Sequence, residues 1–430
     1  MKVKFDKILA LKVLIILLMT NYMVVTILLD DMIILKYLRD IILVTLFGLN
    51  VLNKKIAKFE MGWICFIFLL LLAFIRSDNM PLAIVSIRRY VFPIIALITI
   101  KHFSSITKEK FNRVVDFLLI FFALISLWGV FQAWVLKDDF LKSIGYVTSY
   151  SYGYGRDMLN YSFYFGGLGI QRVVSTLSNA NICGLVLGTT LLFLIFLYPY
   201  INNEKKNIYI LLMLIGYVLT FSRSNFLALL IVVILIMYPY IPHKNVIWGC
   251  IGVGLLACIA LFFIQGENGL IYKLWGWVIN TLTLSESSVA GRSSRWTIAF
   301  LAAMRNPWGI GFGHVGALAI DAGVADAMDC ENSYLAIAID SGVLGMILYV
   351  FCICSLILKF SKYKKMCSNN EGLEKRICLC GKSMLIYMLV TMFFSNHIYD
   401  MEAIALIFIY VGILLNILKN NTCTAINAVS

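Results

Sequence analysis

The stretch WICFIFLLLLAFI at residues 63–75 decides the fold. It holds no charge, no proline and no polar–apolar alternation, so it fits neither a β-barrel wall nor a surface helix with one wet face. As a helix it satisfies its backbone N–H and C=O groups internally, which is what hydrocarbon demands. Comparable runs recur at 8–29, 32–52, 60–75, 83–100, 114–135, 178–199, 208–222, 225–241, 246–264, 333–358, 382–397 and 400–418. Most approach the ~20 residues that cross roughly 30 Å of hydrocarbon at about 1.5 Å per residue.

Composition points the same way. The 430 residues are 61% hydrophobic and 14% charged, where soluble domains carry roughly 25% charge, and the mean hydropathy is +0.89. The expected fold is all-α and polytopic: one membrane domain over residues 1–430, with about 12 transmembrane helices and two long outer loops, 136–177 and 265–332. The first run, 8–29, is too long for a signal-peptide core and lacks a small-x-small cleavage site, so it reads as the first span.

A net charge of +13 suggests nucleic acid until the cations are placed. They cluster between spans, at Lys2, Lys4 and Lys7, at 54–58, 101–113, 205–206 and 359–376, and singly at Lys244, Lys382 and Lys419. With an inside N-terminus all of these fall on the cytoplasmic side, as the positive-inside rule requires. No nucleic-acid partner is expected, both termini are cytoplasmic, and the two long loops face outward, where ordered loops concentrate function. Of the eleven cysteines only Cys330 falls clearly outside, so no disulfide partner is evident, and without a CxxC pair no metal site is expected. In the second span, Lys36 can pair with Asp40 at i, i+4, with Arg39 beside them.

Four groups of residues can carry chemistry. Arg172, Asn179 and Asn181 mark the entrance of the sixth span, where they can cap the helix or bind an anion at its positive end. Ser222-Arg223-Ser224 forms a hairpin, and an arginine near hydrocarbon needs a partner or must snorkel; a diphosphate suits its fork. The larger loop holds Gly291-Arg292-Ser293-Ser294-Arg295-Trp296 and then Asn306-Pro307-Trp308-Gly309-Ile310-Gly311-Phe312-Gly313. The glycines there fit a close turn rather than a dinucleotide fingerprint. Glu331-Asn332-Ser333-Tyr334-Leu335 opens the tenth span, with Glu331 either a helix cap or an active carboxylate. Asp340, about 13 Å further along that helix, needs a partner, expected to be an arginine near the outer face. Gly342 and Gly345 beyond it permit close helix contact.

Taken in order, these pieces resemble the O-antigen polymerase (Wzy) and O-antigen ligase (WaaL) family of bacterial membrane proteins. The shared pattern is an Arg before an Asn-x-Asn helix entrance, a Ser-Arg hairpin and Gly-Arg…Trp in a large outer loop. Asn-Pro…Gly-x-Gly-x-Gly, an acidic-Asn-x-Tyr-Leu helix start and an acidic-x-Gly follow, and the likeness runs over roughly residues 170 to 350. The resemblance implies a glycosyltransferase-C-like helix bundle in the bacterial cytoplasmic (inner) membrane. It also implies a metal-independent inverting glycosyltransferase that needs no cofactor and uses undecaprenyl-diphosphate-linked oligosaccharide as donor and acceptor, with a chain-length regulator and a flippase as further partners. Ligases carry His where this chain has Glu331, which favours a polymerase of O-antigen, capsule or exopolysaccharide repeats.

On that reading Arg223 and Arg292, with Arg172 and Arg295, hold the diphosphate, and Glu331 takes the proton from the attacking sugar hydroxyl. Asn179, Asn181, Asn332 and Tyr334 line the substrate, and His314 and His397, both expected outside, are rival bases. Tyr146, Tyr150, Tyr152, Tyr154, Tyr161 and Tyr164 can stack on sugars or belt the interface. Two other activities fit the same spans: a ligase moving finished chains to a lipid or protein acceptor, and a lipid-linked oligosaccharide flippase. A flippase usually shows repeated halves and a midplane site, which this chain does not display.

Overall fold

A computed structural model describes residues 6–28, 33–52, 61–103, 106–144, 148–151, 156–159, 164–165, 170–237, 287–366 and 372–427. The first helices are α1 (Lys7–Thr20), α2 (Ile33–Leu52), α3 (Met61–Ile75), α4 (Met80–Lys101), α5 (Lys108–Phe131) and the short α6 (Lys137–Ser143). Then come α7 (Ala180–Leu197), α8 (Lys206–Leu219), α9 (Arg223–Val232), α10 (Ser287–Arg305) and the short α11 (Ala317–Asp321). The last are α12 (Ser333–Met366), α13 (Leu373–Phe394) and α14 (Met401–Asn427). Seven described helices are long and apolar enough to cross a membrane, and three shorter apolar ones accompany them. Described helices stand at each expected span except 246–264, which lies outside the described residues.

The helices start where short polar side chains can accept their first N–H groups. Asp6 caps α1, Asn79 caps α4, Thr107 caps α5 and Asn179 caps α7. The 136–177 loop adds two small antiparallel hairpins, Thr148–Ser151 with Arg156–Leu159 and Tyr164–Phe165 with Ile170–Gln171. Of its tyrosines, Tyr150 and Tyr164 lie on these strands, whereas Tyr146, Tyr152, Tyr154 and Tyr161 are outside the described residues.

Helix α14 is the central post, buried almost throughout from Met401 to Leu418 and packed chiefly on α4. Asn416 fastens the pair at one end, donating to the carbonyls of Lys101 (3.1 Å) and Phe103 (3.0 Å) and accepting from the Ile106 N–H (3.2 Å). Close approach elsewhere depends on small residues. A Cβ on Gly188 of α7 would collide with the Tyr387 hydroxyl of α13. Outward-facing positions are apolar instead of polar: Leu71, Ile75, Leu124, Leu211, Ile347, Phe351 and Leu358 are all exposed. A band of this kind suits lipid rather than water.

The charges within the spans pair differently from the i, i+4 expectation. Asp40 turns to α4, where Arg88 grips it through Nε (3.2 Å) and Nη2 (2.5 Å), a two-pronged contact that lysine cannot make. Arg39 reaches Glu402 of α14 at 2.6 Å. These pairs tie α2 to both central helices.

Helix α12 is broken at Gly342, whose φ of 85° and ψ of 166° are not helical. A break inside the membrane frees backbone groups that must find partners. The glycine turn supplies them: Ile310 N–H donates to the Ile339 carbonyl (2.8 Å), Gly311 N–H to that of Asp340 (3.2 Å), and Val343 N–H to that of Pro307 (2.9 Å). Gly309, Gly311 and Gly313 all take positive φ, and Arg76 donates to the carbonyls of Trp308 (2.6 Å) and Gly309. Gly342 therefore allows close contact with this turn rather than with another helix. A Cβ on Gly345 would meet only its own helix's Ser341.

Candidate active site

Three long helices begin around one polar cavity of about 380 Å³: α7 at Asn179, α12 just after Glu331, and α14 after Asp400. Each presents the positive end of its helix dipole there, so the backbone itself favours negative charge in this space. Arg89, Asn181, Arg292, Asp329, His397 and Tyr399 are among its charged and polar lining.

Arg292 and Arg295 lie on α10, within what reads in sequence as the larger outer loop. A helix places them one turn apart on one face, since residues three apart are neighbours. Both point at Glu331: Arg292 Nε donates to Oε2 at 2.5 Å and Arg295 to Oε1. Arg295 also pairs with Asp329 at 2.9 Å, and Trp296 Nε1–H donates to the Glu331 carbonyl at 3.2 Å. Both oxygens of Glu331 are thus occupied by guanidinium donors.

Several candidate residues are committed to the scaffold. Arg172 donates to the Thr220 carbonyl and to Asn181 Oδ1, each at 2.7 Å, buckling the entrance of α7 to the end of α8. Asn181 also accepts from the Ser222 hydroxyl at 3.1 Å, and Asn179 caps α7 through the Asn181 and Ile182 N–H groups. Asn332 caps α12 with Oδ1, accepting from Tyr334 and Leu335 N–H, and donates through Nδ2 to the Phe393 carbonyl at 2.8 Å. The Tyr334 hydroxyl donates to the Leu389 carbonyl at 2.6 Å. Arg223 is half-buried as the first residue of α9. Among the described residues, neither it nor His314, Arg172, Arg295, Asn332 or Tyr334 lines the cavity.

His397 does line it, buried, with Nδ1 2.7 Å from Asp400 Oδ2. The spacing His-x-x-Asp was available in the sequence, one turn apart. Among the described residues Asp340 forms no ion pair with the expected arginine, although it feels the charge of Arg89, and it accepts at Oδ2 from the hydroxyls of Tyr90 (2.7 Å) and Tyr399 (2.5 Å). Burial and the neighbouring Asp340 charge hold the Tyr399 hydroxyl well above its ordinary pKa, so it stays a donor. Cys330 is a free thiol bonded to the Asn332 carbonyl, and burial pushes it up to about 12, which rules out a thiolate nucleophile at neutral pH. Among the described residues no group of three or more His, Cys, Asp or Glu is gathered as a metal site would need.

Fold and cavity together define an all-α polytopic membrane protein with an anion-suited cavity at its helix ends. Residues 208–350 match the family model described as O-antigen ligase (Wzy_C), which supports the O-antigen polymerase and ligase family for this chain. No curated protein matches the chain. The family suggests a glycosyltransferase-like activity in polysaccharide assembly, acting in a membrane on lipid-linked oligosaccharides.

Proposed function

We propose that the chain is a polysaccharide polymerase that joins undecaprenyl-diphosphate-linked repeat units on the outer face of the bacterial cytoplasmic membrane. The observation that supports this most directly is the Arg292–Glu331–Arg295 cluster, two guanidiniums around one carboxylate at the edge of a polar cavity. An incoming diphosphate competes for the same guanidinium donors, because their forks match phosphate as well as carboxylate. Glu331 is released as the substrate binds. It then takes the proton from the acceptor sugar hydroxyl while that oxygen attacks the anomeric carbon. The anomeric C–O bond breaks, and undecaprenyl diphosphate leaves with the electron pair, its added charge offset by the arginines. In this scheme the guanidiniums stand where a divalent cation would otherwise sit, and the attack from the opposite face inverts the anomeric centre. Arg223 adds positive charge at the neighbouring hairpin. A chain-length regulator and a flippase are the partners such an enzyme requires.

A ligase is the second reading, favoured by the description of the matching family model. Purified protein supplied with a lipid-linked repeat separates the two. Extended lipid-linked chains mean a polymerase, and transfer only to a non-prenyl acceptor means a ligase. Arg292→Ala is expected to lower turnover by roughly 10²- to 10³-fold, as loss of a preorganised charge donor does. Glu331→Gln is expected to be at least as damaging. Wild-type rates in both correctly inserted variants would sink the assignment.

A further inference from the structure

The carboxylates lining the cavity are all engaged within the protein: Glu331 by Arg292 and Arg295, Asp329 by Arg295, and Asp400 by His397. Arg89 is different. It lines the same cavity from α4, yet among the described residues its guanidinium has no hydrogen bond and no ion pair. Its guanidinium carbon lies over the Tyr399 ring, 5.4 Å from the centroid. The acidic groups whose charge it feels are already bound, Asp340 by Tyr90 and Tyr399 and Glu402 by Arg39.

The adjacent residue makes the contrast plain, since Arg88 is held in two-pronged fashion by Asp40. Arg89 also sits about 13 Å along α4 from its first residue, where an unpaired arginine is costly and marks function. Tyr399 is anchored by its bond to Asp340, packs edge-on against Tyr90 with centroids 6.2 Å apart, and offers its face to the cation. A rigid guanidinium fork with free donors, facing a space ringed by helix N-termini, is built for paired anionic oxygens.

We infer that Arg89 is a phosphate-binding residue of the cavity, gripping the diphosphate of the polyprenyl carrier from α4 while Arg292 engages it from α10. This rests on the glycosyl-transfer reading above and adds to it a residue outside the matched segment and outside every sequence motif. A bilayer phospholipid presents the same phosphate chemistry, so the test must tell the two sources apart.

The full-length protein in nanodiscs is titrated with sugar-free undecaprenyl diphosphate, with undecaprenol and phosphatidylglycerol as parallel ligands. Arg89→Ala and Arg89→Gln should each weaken diphosphate binding at least tenfold, Arg89→Lys less, and none should alter undecaprenol binding. Melting temperatures and gel-filtration profiles of the lysine and glutamine variants show whether any loss is one of folding. Unchanged diphosphate affinity in Arg89→Gln, with Arg292→Ala impaired, overturns the role of Arg89 and leaves the Arg292–Glu331 reading intact. An equal loss of phosphatidylglycerol binding overturns the assignment to the carrier. If the wild type itself ignores undecaprenyl diphosphate, both readings fall together.

Discussion

Asp340 shows how much one buried carboxylate can organise. It is inaccessible to solvent, and both hydroxyls that reach it come from other elements, Tyr90 on α4 and Tyr399 in the turn before α14. Asp340→Ala would leave the buried Tyr90 hydroxyl and the half-buried Tyr399 hydroxyl without an acceptor, at about 1–3 kcal/mol for the buried one and less for the other. Asp340→Asn keeps one acceptor oxygen and should cost less. Apparent melting temperatures in detergent should therefore fall in the order wild type, asparagine, alanine, and an alanine variant as stable as the asparagine one would contradict this account. The residue types of the site were readable in sequence, but their employment was not. Arg172, Asn332 and Tyr334 spend their donors on the carbonyls of Thr220, Phe393 and Leu389, which are remote in sequence, and only the fold reveals those partners. Arg88 and Arg89 are one letter pair in an apolar run. Which of them faces a carboxylate and which faces a cavity depends on the rotation of α4 against its neighbours.

At the scale of elements, the break in α12 and the turn from Asn306 to Gly313 are one construction. The turn donates to the carbonyls of Ile339 and Asp340 and accepts from Val343, so each satisfies what the other exposes. Gly342→Ala should be among the most harmful single changes in the chain. Its φ and ψ belong to a region nearly closed to other residues, a strain of about 1–3 kcal/mol. The added Cβ would also stand 2.8 Å from the Pro307 carbonyl oxygen. Loss of folded protein on expression, or early protease cleavage near the turn, is the expected readout, whereas Gly291→Ala, with open space around it, should behave as wild type. The glycine spacing foretold a close turn. It could not foretell that the turn would dock on a helix break, because Asp340-Ser341-Gly342 sits in an apolar run that continues smoothly to Leu358. The helix α10 was hidden in the same way. Its polar first half reads as loop, while its narrow stripe of Trp296, Ala299 and Ala303 packs inward and so aims Arg292 and Arg295.

At the scale of the whole molecule, the polar cavity and the lysine-rich connections occupy opposite ends of the helices. Helix α12 runs from Ser333 beside the cavity to Lys364, and α13 returns from Lys375 and Arg376 to Ser395 at the cavity again. Asn416 ties the last helix to Lys101 and Phe103 at the end where α5 starts with Lys108 and Lys110. The proposed function requires the orientation that the positive-inside rule predicts for this internal polarity, with the lysine end in the cytoplasm and the cavity outside. Lipid-linked sugars displayed on the outer leaflet would meet Arg292 and Glu331 only in that orientation, so topology and function stand or fall together. Single cysteines introduced into a background without reactive native thiols can decide it. Ser293→Cys, exposed on α10, should react with a membrane-impermeant maleimide in intact spheroplasts, and Lys205→Cys, before α8, only after the membrane is permeabilised. The opposite labelling pattern would put the cavity on the cytoplasmic side. A polymerase of outer-leaflet repeats could not then be built on this site, however well its arginines fit a diphosphate.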